Sequence, residues 1–179
     1  GKTLLAEFNI VITKSLLPQS KIVYIVPSRA LVNQVYHDLR TDLVSLGLNV
    51  EKTSSVNEID PTENSFLQTD EIDLIVSTPE KIDLLIRRDH PSVKDVSLFI
   101  IDEAHRGAQK STDLAKATTI MQKFLRGSSA DKLPPMPVVI GMTATAERFN
   151  RLAQDLQAIT QSSIHTIVTT TDDVRASGL

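Results

Sequence analysis

Short runs rich in valine and isoleucine alternate along this chain with longer stretches of helical periodicity, and that alternation restricts the fold more than any other feature. Continuous apolar runs suit strands buried on both faces. Strands separated by helices run parallel, because a helical crossover returns the chain to the same end of the sheet. The expected fold class is α/β, a mostly parallel sheet with helices on both faces. Strands are predicted at residues 21–26, 50–54, 72–77, 98–101, 138–142 and, with weaker patterning, 164–169. Helices are predicted at 2–17, 30–46 (closed by Gly47), 80–87, 112–126 and 147–159. In the second of these Leu31, Val35, Leu39 and Leu43 form a stripe expected to face the sheet. Residues 57–69, polar with a proline, and 127–137, rich in Gly, Ser and Pro, are expected as surface loops.

The 179 residues, 41% of them hydrophobic, suffice for one substantial core and favour a single domain. Net charge is −3, so any contact with a polyanion must come from local groups on a few loops rather than from a global basic field. There is no cysteine, which excludes disulfide frameworks, thiolate zinc sites and cysteine nucleophiles and fits a cytoplasmic protein. No apolar run approaches the roughly 20 residues that span a bilayer, and no signal segment opens the chain, so no membrane is expected as a partner. The spacing of His37, His90 and His165 suggests no metal site; surface or packing roles are expected.

In open parallel sheets ligands gather at the carboxyl ends of the strands, so the residues just after each apolar run carry the information. After Leu98-Phe99-Ile100-Ile101 stand Asp102-Glu103-Ala104-His105. Two readings fit: acids dressing a helix N-terminus, or a metal-holding Asp beside a Glu that deprotonates an attacking water in phosphoryl transfer. Gly1-Lys2-Thr3 before a helix offers a lysine for phosphates and a hydroxyl for Mg²⁺, although the phosphate-loop pattern also needs an earlier glycine. Pro27-Ser28-Arg29-Ala30-Leu31 and Thr78-Pro79-Glu80-Lys81 each put a hydroxyl at a helix start, either as a plain cap or as a grip on a nucleic-acid phosphate. Thr143-Ala144-Thr145 follows the run at 138–142 as a hydroxyl-rich turn.

In that order and spacing, these segments resemble the successive motifs of the first RecA-like domain of superfamily 2 helicases of the DEAD/DEAH-box kind, over roughly residues 1–150. Gly1-Lys2-Thr3 is similar to the tail of motif I. Pro27-Ser28-Arg29-Ala30-Leu31 with Gln34 is similar to motif Ia, Thr78-Pro79-Glu80-Lys81 to motif Ib, Asp102-Glu103-Ala104-His105 to motif II, and Thr143-Ala144-Thr145 to motif III. The resemblance implies a RecA-like P-loop ATPase that binds ATP and Mg²⁺. Gly1, Lys2 and Thr3 would lie on the nucleotide, Thr3 and Asp102 on the metal. Glu103 would be the catalytic base, and His105 would couple the site to Thr143 and Thr145. Ser28, Arg29, Thr78 and Lys81 would lie toward the nucleic-acid backbone.

More narrowly, Asp102-Glu103-Ala104-His105-Arg106, the segment 143–149 and the tail 172–179 look most like the motor subunit of type III restriction enzymes. That would imply DNA rather than RNA, movement along duplex, and nuclease or methylase partners. DEAD-box RNA helicases usually carry Asp where His105 stands and Ser where Thr143 stands. By the resemblance the phosphate loop begins before Gly1 and a second RecA-like domain follows Leu179. The chain is thus expected to be an N-terminally truncated domain, a weak nucleotide binder by itself, with exposed apolar sheet edges. Two competing readings are a binding module without turnover and a P-loop enzyme acting on small molecules. Intact Lys2, Asp102 and Glu103 count against the first, and the segments at Thr78 and Thr143 against the second.

Overall fold

The computed structural model describes residues 2–53, 71–88, 90–104 and 138–143. The elements predicted at 112–126, 147–159 and 164–169 and the loops predicted at 57–69 and 127–137 lie outside them. The described chain runs α1 (Lys2–Leu16), β1 (Lys21–Ile25), α2 (Arg29–Val44), β2 (Val50–Thr53), β3 (Leu74–Ser77), α3 (Pro79–Arg87), a 3₁₀ turn (Pro91–Val93), β4 (Val96–Ile101) and β5 (Val138–Gly141). The five strands form one sheet in the order β2-β3-β1-β4-β5, and every pairing is parallel.

Alternation along each strand divides the core into two layers. Val23, Ile25, Ile75, Phe99 and Ile101 point to the face covered by Ile82 and Leu85 of α3. Ile22, Tyr24, Leu74, Val76, Leu98 and Ile100 point to the other face, under Ala6 and Ile10 of α1 and Val32, Tyr36, Leu39 and Leu43 of α2. Helices therefore cover both faces, as the buried apolar strands require. The buried stripe of α2 differs from the expected one. Leu31 and Val35 lie at its margin while Val32 and Tyr36 are central, because a strict four-residue step drifts off a helix of 3.6 residues per turn, whereas 32, 36, 39 and 43 stay on one face. Gly47 ends this helix as expected: at φ 80 it occupies the left-handed region, and its N–H donates to the Val44 carbonyl at 3.0 Å. At the far end of α1, Lys14 pairs with Asp73 at 2.6 Å and ties the helix to the entry of β3. The outer side of α1 is apolar and exposed at Leu4, Phe8 and Leu16.

Candidate active site at the carboxyl edge of the sheet

The registers bring Thr53, Ser77, Ile25, Ile101 and Gly141 into one row across the sheet. All five strands thus end level, and the segments after them leave along a single edge. From β2 towards β5 that edge presents Thr78, then Ser28 and Arg29, then Asp102 and Glu103, then Thr143.

Hydrogen bonds to both neighbours hold the turn after β4. The Asp102 N–H donates to the Ile25 carbonyl, the Ala104 N–H to the Met142 carbonyl and the Met142 N–H to the Ile101 carbonyl, each at 2.9 Å. Between these anchors Glu103 takes φ 51, a left-handed conformation that costs a non-glycine residue about 1–2 kcal/mol. Its N–H donates to Asp102 Oδ1 at 2.9 Å, which offsets part of that cost. A Cβ at Gly141 would stand 3.1 Å from the Ala104 Cβ, so the glycine lets β5 close against the turn. The resulting backbone pushes two carboxylates out of the sheet edge in a fixed relation.

Lys2, the first residue of α1, reaches both of them. Its Nζ lies 2.8 Å from Glu103 Oε1 and 3.4 Å from Asp102 Oδ1. The hydrogen bond to Glu103 raises the Lys2 ammonium above its ordinary range, against partial burial that lowers it, and the charges of Asp102 and Glu103 add to the rise. Thr3 lies beside it, exposed in the first turn of α1, where no acid competes for the free N–H groups. Beneath the acids is Tyr24, read in the sequence only as a core strand residue. Burial, then the charges of Asp102 and Glu7, drive its phenol well above the usual tyrosine range, so it stays neutral. Its one sequence signal is a hydroxyl-bearing ring within the aliphatic run of β1.

The nucleic-acid residues divide. Ser28 caps α2, its Oγ accepting from the Leu31 N–H at 3.4 Å, and Arg29 is exposed beside it. Thr78 and Lys81 were expected to present groups to a strand outside the protein, but both are buried, Lys81 completely. The reason is the pitch of α3, which turns Pro79, Lys81, Ile82 and Leu85 inward together. The Thr78 hydroxyl makes no capping bond and, among the described residues, has no hydrogen-bond partner despite its burial. His90 has a packing role: its ring bonds the Ser92 hydroxyl at 2.9 Å, and burial, then Lys81 and Lys21, lower its pKa. Gly1, His105, Thr145 and His165 lie outside the described residues. Among the described residues no group of three or more His, Asp or Glu is placed to hold a metal, and no helix is long and apolar enough to cross a membrane.

Residues 1–153 match the family model for DEAD/DEAH box helicases. The chain is 31% identical over 158 residues to the ATP-dependent DNA helicase Hel308 of Pyrococcus abyssi, covering 88% of this chain and 20% of that protein. It is 32% identical over 132 residues to the probable ATP-dependent DNA helicase HFM1 of Xenopus tropicalis, covering 67% of this chain and 10% of that protein. The crystal structure of the DUF1998 helicase MrfA bound to DNA and AMPPNP superposes with a TM-score of 0.69 at 15% identity, over 94% of this chain and 23% of that one, which supports the RecA-like α/β fold. The chain thus spans a fifth or less of the length of these two relatives. Both carry helicase names, and the narrower resemblance to restriction-enzyme motors gains no support from them.

Proposed function

Because the chain belongs to the DEAD/DEAH box helicase family, we propose that it is the ATP-hydrolysing motor domain of a helicase or translocase acting on DNA in preference to RNA. The observation that carries this reading is the meeting of Lys2 with Glu103 and Asp102 at 2.8 and 3.4 Å across about a hundred residues of sequence. An ammonium at a helix N-terminus, opposite two carboxylates on a braced turn, is the arrangement phosphoryl transfer requires.

In this reading Lys2 and the free N–H groups of α1 hold phosphate oxygens, with Thr3 beside them. Asp102, partly buried, is suited to Mg²⁺ through water, since that ion keeps several waters and takes one or two carboxylates together with substrate phosphates rather than a full protein cage. Mg²⁺ held there would supply positive charge to the phosphate oxygens. Glu103 is the base. Once Lys2 transfers its contact from Glu103 to phosphate, the carboxylate is released to orient a water and accept its proton. Ser28 and Arg29, further along the same edge, face the strand, whereas Thr78 and Lys81 are buried behind it. The turn at Thr143 is tied through Met142 to Ala104, on the side of the acids away from Ser28, where a change at the phosphates would reach it.

The DNA-helicase names of the relatives support DNA. Their greater length fits a motor that works against a second RecA-like domain of the same polypeptide. The test is Glu103→Gln in the complete protein. ATP affinity should stay within a few-fold while hydrolysis falls about 10²–10⁴-fold, the usual worth of a positioned base. Parallel loss of binding and turnover would make Glu103 a structural residue and end this reading.

A further inference from the structure

A second basic group stands on the same side of the sheet as Arg29, and it is held unusually. Lys52 lies on the edge strand β2, one residue before the last row of the sheet. Its Nζ donates to Asn33 Oδ1 at 2.7 Å and sits 4.7 Å from the centre of the Tyr36 ring. That ring is buried, and its hydroxyl accepts from Arg40 Nη1 at 2.9 Å. Lys52 makes no ion pair among the described residues, and neither does Arg29.

A lysine on an edge strand ordinarily swings in solvent or pairs with an acid. Here an amide oxygen and an aromatic face restrain the ammonium, and both are neutral. Its charge is therefore undiminished, it retains N–H donors, and much of the entropy cost of fixing it is already met by the fold. Arg29 and Asn33 are one turn apart on one flank of α2, which Tyr36 and Arg40 continue. Arg29 stands in the first helical turn, where the dipole disfavours a cation and where no acid offsets it. The acids of α2 lie elsewhere: Asp42 meets Glu7 of α1 across the helix pair. Glu51, the chain neighbour of Lys52, lines the shallow cleft beside Arg40 together with Glu71, and no ion pair joins it to Lys52 among the described residues. From Arg29 to Asn33 the helix rises about 6 Å, roughly two nucleotide steps at about 3.4 Å each.

We infer that Lys52, positioned by Asn33 and Tyr36, is a phosphate contact for the nucleic-acid strand and extends the grip of Ser28 and Arg29 toward the β2 edge of the sheet. This rests on the motor reading above. The contact reads backbone charge, so it positions the strand and confers no base preference.

The test uses the complete protein with single-stranded DNA, duplex DNA and RNA, measuring affinity across a salt series together with ATPase in the absence of polynucleotide. On whichever polynucleotide the wild type binds, Lys52→Gln should weaken binding about threefold to tenfold and reduce the magnitude of the slope of log affinity against log salt by about 0.7–0.9, the loss of one phosphate contact. Lys52→Arg should retain the slope, and basal ATPase should be unchanged in both. Should Lys52→Gln fold poorly, Asn33→Asp keeps the lysine and gives its ammonium an internal carboxylate, and the same reduction in slope is expected. An unaltered slope in both Lys52→Gln and Asn33→Asp would overturn the inference while leaving the motor reading intact. Failure of the wild type to bind any of the three would remove both.

Discussion

At the scale of single residues, the site depends on Lys2 answering two acids. In the free protein its contact with Glu103 is largely solvent-exposed and contributes little to stability. What it does contribute is present below the ordinary lysine range and disappears as pH climbs through the raised value of the folded state. In the proposed function the same ammonium would make charge-assisted bonds to a triphosphate worth roughly 1.5–3 kcal/mol. Lys2→Gln should therefore weaken ATP binding about 10- to 100-fold while leaving the thermal midpoint nearly unchanged. A large drop in midpoint with normal affinity would show that Lys2 is structural. Glu103 illustrates the converse: its strained φ is maintained by hydrogen bonds on both sides, as is common where function outweighs local stability.

At the scale of elements, α1 offers a contrast within one helix. Ile10 is fully buried against the sheet, so Ile10→Ala should cost about 2–5 kcal/mol of unfolding free energy. Phe8 is 63% exposed, and Phe8→Gln should change stability by no more than about 0.5 kcal/mol, as differential scanning calorimetry on both variants would show. The contact between α1 and α2 carries a pH signature. Burial, then Asp42 through its charge and a hydrogen bond, then the charge of Asp38, raise the Glu7 carboxyl above its ordinary value. A carboxyl raised on folding favours the folded state while protonated, and that contribution is lost as pH rises through the folded pKa. Glu7→Gln should thus raise the thermal midpoint at pH 7 and lose that advantage below the ordinary value of 4.5. A gain independent of pH would show that the Glu7 charge is not its source. The sequence pattern located these elements well because apolar runs mark buried parallel strands directly. It misjudged the stripe of α2 because Val32 and Tyr36 interrupt the simpler spacing of leucines, and it missed the turn at Pro91–Val93, which is organised by His90 and Ser92 rather than by periodicity.

Across the described residues as a whole, segments scattered along the chain come to one sheet edge, with Lys2, Asp102, Glu103 and Thr143 at α1, β4 and β5, the proposed nucleotide side, and Ser28, Arg29 and Lys52 at α2 and β2, the proposed strand side. That conversion was legible in advance, since parallel strands bring every following segment to the same side. The burial of Lys81 and the restraint of Lys52 were not, because each depends on packing between elements distant in sequence: the inward face of α3 in one case, an edge strand meeting Asn33 and Tyr36 in the other. The central claim is that ATP hydrolysis at Lys2, Asp102 and Glu103 is coupled to a nucleic-acid strand on the same edge. The most direct measurement is steady-state ATPase of the complete protein alone and with saturating single-stranded DNA, duplex DNA or RNA. Stimulation of about tenfold or more by DNA, exceeding that by RNA, is the predicted result. ATP binding without stimulation by any polynucleotide would contradict the motor reading.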